Sequence, residues 1–360
     1  MRSDGSLAAA DAPRLALSVL DQSPISEGSS GAQALRDTLD LARLADGLGY
    51  HRYWVAEHHG TPTLASASPE VLIGPIASVT SRLRVGSGGV MLPHYSPRKV
   101  AESFSVLSGL FGDRIDLGLG RAASTDDAVT IHALQRDRRT PSPDDFHQQL
   151  TEVLAYLEDR PPPDARFAGL APLPGRPGRP EPWLLGSSIQ SAMWAGQLGL
   201  PYAFGDFINS AGAEMTHLYR QVFAGSGRQA APRTAVSVKA VCAETDEEAQ
   251  RLAASSRMVA SLARRGELVE VPPVDKALRY LEAEDGALTP SPRRRAVIGS
   301  PATVRADLER IAVEYGAQEV IVLTITHEHE ARRRSYELIA EAFGLDAGGE
   351  AGRAAATIPA

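Results

Sequence analysis

Residues 83–120 read LRVGSGGVMLPHYSPRKVAESFSVLSGLFGDRIDLGLG. The apolar run at 83–89 is typical of a buried strand, and a second such run follows at 114–120. Between them, Ser96 followed by Pro97 is a characteristic helix start, with a capping side chain and a proline in the first turn. A strand, a helix and a second strand in this order predict two parallel strands joined by a helical crossover.

The same alternation extends in both directions along the chain. Upstream, Ser30 with Gln33 three residues later predicts a helix start, and Gly49 predicts its end. The other strand-like runs lie at 15–21, 52–56, 183–186, 201–204, 234–243 and 319–325. Eight strands alternating with helices predict an α/β protein of the (β/α)8 TIM-barrel type.

Several segments depart from this alternation. Residues 160–182 contain eight prolines and predict an extended loop. Residues 264–295 carry RRG, VPP and TPSPRRR and predict a long insertion between strands seven and eight. We expect residues 1–13 and 345–360 to be disordered, which leaves a single barrel domain over 14–343.

Composition excludes several classes of protein. The 360 residues carry a formal charge of −7 and no basic stripe, which argues against nucleic-acid binding. No apolar run is long enough to span a membrane, and no secretory signal is visible at the N-terminus. Cys242 is the lone cysteine, so neither a disulfide framework nor a cysteine zinc site is possible. We therefore expect a cytoplasmic protein.

Catalytic residues of a barrel lie at the C-terminal ends of its strands. Glu57-His58-His59 follows strand two, and this triplet is a candidate proton donor or base because imidazole titrates near neutrality. A loop with satisfied histidines is the alternative, whereas a metal site is not predicted. Gly118-Leu-Gly120 follows strand four but lacks the helix that a dinucleotide site requires.

An anion site is predicted where strand five meets its helix. Ser187, Ser188 and Ser191 stand at this helix start, where backbone N–H groups favour a phosphate, although simple N-capping explains these serines equally well. Arg121, after the neighbouring strand, could bind the same phosphate. The residues expected to line a substrate cavity are Leu20, Asp21, Phe204 and Phe207.

Four ordered segments resemble the bacterial luciferase-like monooxygenases, in particular their single-chain group 1 flavin oxidoreductases. The segments are YHRYWVAEHHG (50–60), VGSGGVMLPHYSPRKVAE (85–102), DRIDLGLGRA (113–122) and PWLLGSSIQSAMWAGQLGLPYAF (182–204). The resemblance implies a barrel that binds FMN at its C-terminal face, and it identifies residues 264–295 as a mobile lid, which their glycines, prolines and charges fit. It places His58 beside the reactive edge of the flavin, a cis peptide between Gly88 and Gly89 under the ring, and Arg121 with the three serines at the phosphate. Gly120 stands where light-emitting luciferase has a reactive cysteine, so light emission is not expected.

The resemblance also implies a reaction. FMNH2 would come from a separate NAD(P)H:flavin reductase and react with O2 to a C4a-hydroperoxide, which oxygenates a small organic substrate. The composition suggests a GC-rich source, and epoxidation or hydroxylation of a polyketide in antibiotic biosynthesis is our hypothesis for the reaction. A homodimer is expected. Two alternatives stay open: a hydride-transfer enzyme that uses deazaflavin F420, and a flavin-binding protein without turnover.

Overall fold

Parallel pairing runs around a closed ring in the computed structural model, which describes residues 14–121, 128–134, 145–284 and 295–346. The strands are β1 (Ala16–Asp21), β2 (Arg52–Val55), β3 (Arg84–Met91), β4 (Ile115–Gly120), β5 (Glu181–Gly186), β6 (Tyr202–Gly205), β7 (Thr234–Cys242), β8 (Val297–Gly299) and β9 (Glu319–Leu323). Strands β1 to β7 pair in sequence order, β7 pairs with β9, and β9 pairs with β1. The predicted (β/α)8 barrel is confirmed, with β9 as its eighth strand.

Helices between the strands form the outer layer. They are α1 (Gly31–Leu48), α2 (Pro69–Ser78), α3 (Pro97–Phe111), α4 (Ala128–Leu134), α5 (Phe146–Glu158), α6 (Ile189–Gln197), α7 (Ala213–Gln221), α8 (Asp246–Arg264), α9 (Val274–Ala283), α10 (Pro301–Tyr315) and α11 (His329–Phe343). The predicted ends of α1 are confirmed: Ser30 accepts a hydrogen bond from the Gln33 N–H, and Gly49 ends the helix at a φ of +86°. No described helix combines the length and apolarity needed to cross a bilayer.

The insertion after β7 contains structure that the sequence analysis did not predict. Short β8 pairs with the end of β7 outside the ring, and α9 packs against α8 through Met258, Leu262 and Ala277. The preceding Val271 exchanges main-chain hydrogen bonds of 2.8 Å with Ile25 and Glu27, in the loop after β1. Residues 265–284 are therefore tied to the barrel. Residues 285–294 of the predicted lid, like 1–13 and 347–360, lie outside the described residues, and lid mobility stays a prediction.

Charged side chains fill the N-terminal half of the barrel. Arg52 bridges Asp116 and Glu319, each at 2.5 Å, and its guanidinium lies 4.6 Å from the centre of the Trp183 ring. Arg84 also pairs with Asp116, at 2.5 Å. These ionic residues stand at or near the starts of their strands, so they occupy the end of the barrel opposite to the expected site. Apolar side chains follow toward the C-terminal end: Leu20, Trp54, Ala203, Ala235, Ile321 and Leu323.

Candidate active site

Successive residues of a strand point to opposite faces, and this separates two predicted lining residues at the end of β1. Leu20 belongs to the apolar cluster inside the barrel, as a lining residue should. Asp21 faces the helix layer and is fully buried, where its carboxylate accepts hydrogen bonds from Tyr53 (2.5 Å), Thr38 (2.7 Å) and Arg332 (2.5 Å). The prediction that Asp21 lines the substrate cavity is therefore wrong.

The pKa of Asp21 agrees with a structural role. Burial alone raises the pKa of this carboxyl, but the Arg332 charge and the hydroxyls of Tyr53 and Thr38 bring it below its ordinary value of 3.8. The side chain is therefore an ionised member of a buried network that joins β1 and β2 to α1 and α11.

The two phenylalanines predicted to line the cavity lie on different sides of the barrel wall. Phe204 is fully buried and packs in the helix layer, with its ring centre 5.4 Å from that of Tyr315, so its assignment to the cavity is wrong. Its neighbour Ala203 is the residue of β6 that faces the barrel interior. Phe207 is half-buried and packs against that interior cluster, at the C-terminal rim where a lining residue is expected.

Glu57 connects the ends of β2 and β3. Its buried carboxylate accepts hydrogen bonds from the Met91 N–H (2.9 Å) and the Tyr95 hydroxyl (2.9 Å), and it pairs with His59 at 2.7 Å. Burial and the Glu57 charge raise the pKa of the Tyr95 phenol well above its ordinary value, so this hydroxyl stays a donor. Glu57 and His59, the outer residues of the triplet, are thus held in hydrogen bonds at the rim. His58, the middle residue, is the one that these bonds do not involve.

His58 is a buried imidazole whose pKa departs from the near-neutral value expected from the sequence. Its backbone N–H donates to the Ser66 carbonyl at 2.9 Å, and its Nε2 lies 3.4 Å from Nε2 of Gln22. Its Nδ1 is buried and has no hydrogen-bond partner within the described part of the chain. Burial, together with the neighbouring His59, lowers the pKa of His58 to about 4. The imidazole is therefore neutral at physiological pH, with one buried nitrogen free to bind a ligand.

Glycine backbone lies on β3, which pairs with β2, the strand that leads to His58. The peptide between Gly88 and Gly89 is cis, as the resemblance implies. A Cβ added to Gly88 would stand 2.7 Å from the Leu20 side chain, and one added to Gly89 would stand 2.7 Å from the Gly118 carbonyl oxygen. Both positions therefore require glycine. Gly120, in contrast, has no atom of the described residues within 4 Å of an added Cβ.

The predicted anion site lies at the adjoining rim of β4 and β5. Leu119 pairs with Leu184, and two residues further along Arg121 comes level with Gly186, directly before the serines. Ser188 caps α6 by accepting from the Ser191 N–H, and Ser191 donates to the Ser188 carbonyl at 2.8 Å. The capping interpretation of Ser188 and Ser191 is thus confirmed. A phosphate at this helix start, near Ser187 and the exposed Arg121, stays a prediction.

Sequence reasoning missed two polar residues at the mouth of the barrel. Gln22, two residues after Leu20, reaches His58. Lys239 lies on β7 in register with Leu323 of the interior cluster. The signal that could have found Lys239 is the alternation of side chains along a strand. Ala235 and Lys239 are four residues apart and therefore share a face. Among the described residues, no group of three or more His, Cys, Asp and Glu side chains is arranged to hold a metal ion.

Comparison with known proteins identifies relatives along nearly the whole chain. A family model described as luciferase-like monooxygenase matches residues 15–319. The uncharacterized protein YwcH of Bacillus subtilis strain 168 is 43% identical over 333 residues, which cover 91% of this chain and 99% of YwcH. The N-acetyl-S-alkylcysteine monooxygenase of the same organism is 36% identical over 330 residues, covering 91% and 97%. The crystal structure of apo-MsnO8 superposes with a TM-score of 0.82 at 42% identity, over 93% of this chain and 99% of MsnO8.

More distant structures share the fold alone. They include an oxygenating constituent of 3,6-diketocamphane monooxygenase from Pseudomonas putida in complex with FMN, at 21% identity and a TM-score of 0.67. They also include a coenzyme F420-dependent tetrahydromethanopterin reductase from Methanopyrus kandleri, at 14% identity and a TM-score of 0.63.

Proposed function

This chain belongs to the luciferase-like monooxygenase family, and we propose that it is a two-component enzyme that uses FMNH2 and O2 to oxygenate a small organic substrate. The observation that carries the proposal is the pairing of two features at one rim. His58 presents a buried Nδ1 that has no partner among the described residues, and Gly88-Gly89 on the adjacent strand β3 presents backbone without side chains. The same rim thus offers backbone against which a flat ring can lie and a histidine that can take part in proton transfer.

The residues present fit FMN. A ring can approach the main chain at Gly120, where an added Cβ would meet no described atom within 4 Å, whereas Gly88 and Gly89 lack a Cβ because one there would meet protein atoms. Arg121 and Ser187, with the N-terminus of α6, would hold the phosphate through a charged donor, a hydroxyl and backbone N–H groups. Reduced FMN, once bound, supplies the electrons that activate O2.

The chain's own contribution is proton handling and exclusion of water. The pKa of His58 lies at about 4, so its ring is neutral at physiological pH and offers Nδ1 for a hydrogen bond to a bound group, as donor or acceptor according to the tautomer. Apolar side chains surround the interior below it, with Leu20, Leu323 and Val271 each no more than 3% exposed. Such a dry cavity limits wasteful release of hydrogen peroxide.

The partners and substrate extend the proposal. A separate NAD(P)H:flavin reductase supplies FMNH2, and both proteins work in the cytoplasm. Hydroxylation or epoxidation of a polyketide in antibiotic biosynthesis stays a prediction. One relative, at 36% identity, is named N-acetyl-S-alkylcysteine monooxygenase. S-alkylated cysteine derivatives are therefore the first substrates to test besides polyketides.

A homodimer through α2 and α3 is part of the proposal. Val71 on α2 is 64% exposed, and Val106 and Leu110 on α3 are 45% and 71% exposed. Neighbouring apolar side chains on two adjacent helices are an unusual surface for a monomer, and a two-fold axis would bury them against their own copies. Sedimentation velocity would measure the assembly.

Anaerobic titration of the purified protein tests the choice of cofactor. We expect FMNH2 to bind more tightly than oxidised FMN, and oxidised FMN to be lost on desalting. Retention of oxidised FMN through purification would favour a flavin-binding protein without turnover. Binding of reduced F420 in preference to FMNH2 would favour the hydride-transfer alternative.

A further inference from the structure

Lys239 is a basic residue within a strand of the barrel wall. It pairs with Leu323 of β9, and Leu323 is in the apolar cluster of the barrel interior together with Ala235, four residues before Lys239. Paired residues on neighbouring strands share a face, so the Lys239 side chain faces the interior. Lys239 is also the last residue of β7 that pairs within the ring, because Ala240 pairs with β8 outside it. The side chain therefore lies at the C-terminal rim, on the side of the mouth formed by β7 and β9.

The choice of lysine at this position is unusual for this chain. Only three of its 37 basic residues are lysines, namely Lys99, Lys239 and Lys276, and the other 34 are arginines. Lys99 is exposed on α3, and Lys276 forms an exposed ion pair with Glu27. Lys239 is thus the lysine that this arginine-rich chain places inside the barrel. An ammonium differs from a guanidinium in being a compact point charge that fits a narrow space.

Apolar side chains line the described interior around Leu323, the residue that pairs with Lys239. Leu323 is 2% exposed and Ile325 is 9% exposed, and Phe207 packs against the same cluster, with its N–H directed to the Ser237 carbonyl at 3.4 Å. Val271, from the insertion, completes this wall. The wall resembles other ligand pockets, in which an apolar lining holds the body of a ligand and a few polar groups orient it.

We propose that Lys239 binds a carboxylate of the substrate, so that the substrate of this enzyme is an organic acid with an apolar body. This inference rests on the proposed function, because it takes the interior beside Lys239 as the substrate side of the flavin site. The ammonium has three N–H donors, so it can bind a carboxylate while it keeps another contact. The apolar body then packs on Phe207, Leu323 and Ile325, and the carboxylate fixes which carbon or heteroatom faces the rim at His58.

Calorimetric titration with two matched probes tests the assignment. Octanoate carries an eight-carbon apolar body with a carboxylate, and octan-1-ol is its uncharged counterpart. Each is titrated into the full chain with and without FMN, for the wild type, Lys239→Met, Lys239→Arg and the control Lys99→Met. Lys239→Met keeps an unbranched side chain that is one atom shorter and removes its charge.

We expect Lys239→Met to raise the Kd of octanoate by about 10-fold or more, the scale of one hydrogen bond to a charged group, and to leave the Kd of octan-1-ol within about 2-fold. Lys239→Arg should keep part of the affinity for octanoate, and Lys99→Met should match the wild type. In the wild type alone, added salt should weaken binding of octanoate and not that of octan-1-ol. This comparison in the wild type tests whether a positive charge binds the carboxylate, even if Lys239→Met does not fold.

Three results would overturn the inference. They are an absence of saturable octanoate binding by the wild type, an equal loss of both probes in Lys239→Met, and a loss of FMNH2 affinity in Lys239→Met with octanoate unaffected. The third would assign the lysine to the flavin. Failure of the wild type to bind FMNH2 would instead refute the proposed function. Because octanoate is also titrated into the protein without flavin, its binding to Lys239 is measured even in that case, and the two failures are distinguishable.

Discussion

Replacement of Asp21 by asparagine distinguishes a structural from a substrate-binding carboxylate. The change preserves the size of the side chain but removes its charge opposite Arg332, which is only 2% exposed. Arg332 retains a single other hydrogen bond among those described, from its Nε to the Thr324 carbonyl at 3.1 Å. The variant therefore leaves an uncompensated guanidinium inside the protein.

The expected cost follows from that burial. Removal of one partner of a buried ion pair destabilises a protein by about 3–5 kcal/mol, whereas an exposed pair contributes at most about 1 kcal/mol. Asp40 provides the matched control, because it also pairs with an arginine of α11, Arg333, but its side chain is 44% exposed. Asp21→Asn should therefore lower the free energy of unfolding several times more than Asp40→Asn.

Denaturant titration followed by circular dichroism measures both variants, and acidification adds a second test. The pKa of Asp21 in the folded protein lies below its ordinary value of 3.8, so its ionised form stabilises the fold above that pH. This stabilisation is lost as the pH falls below the ordinary value, and the difference between wild type and Asp21→Asn should shrink there. Equal costs for the two variants, or normal stability of Asp21→Asn with lost substrate binding, would refute the structural role.

Three further predictions concern the rim. His58→Ala should bind FMN normally but release more hydrogen peroxide per NADH consumed in an assay with a flavin reductase, and unchanged coupling would remove His58 from the mechanism. Because the pKa of His58 is about 4, the coupling of the wild type should show no His58 titration between about pH 5.5 and 8. Arg121→Ala should weaken FMN binding by about 1.5–3 kcal/mol in a fluorescence titration, and an unchanged Kd would place the phosphate elsewhere. Gly89→Ala should destabilise the protein by about 1–3 kcal/mol in thermal or chemical unfolding, since its Cβ would stand 2.7 Å from a carbonyl oxygen. Gly120→Ala, with no atom within 4 Å, is its control, and equal stability of the two would contradict the close packing.

The barrel could be predicted from sequence because each unit carries its own signals. Helix starts such as Ser30 and Ser96-Pro97 and apolar runs such as 114–120 are local features, and their order implies parallel pairing. Strand β8 was missed because its three residues are too short for any periodicity. Helix α9 was missed because the sequence around Pro273 was interpreted as a loop, whereas this proline precedes the first turn of the helix.

The site was predicted less completely because the direction of a side chain depends on pairing. Asp21 and Phe204 lie at strand ends, as the rule for barrels requires, but both face the helix layer. Their neighbours Leu20 and Ala203 face the interior. The sequence shows that side chains alternate between two faces along each strand. It does not show which of the two faces is the barrel interior, because that depends on how the strands pair. Lys239 was missed for the same reason.

Rapid mixing of the anaerobic protein–FMNH2 complex with oxygenated buffer tests the central claim most directly, because oxygen activation by bound flavin is what separates a monooxygenase from the other uses of this barrel. The account predicts that bound FMNH2 is reoxidised more slowly than free FMNH2 and in more than one phase, with the last phase faster in His58→Ala. Reoxidation in a single phase at the rate of free FMNH2, unchanged by the substitution, would contradict it.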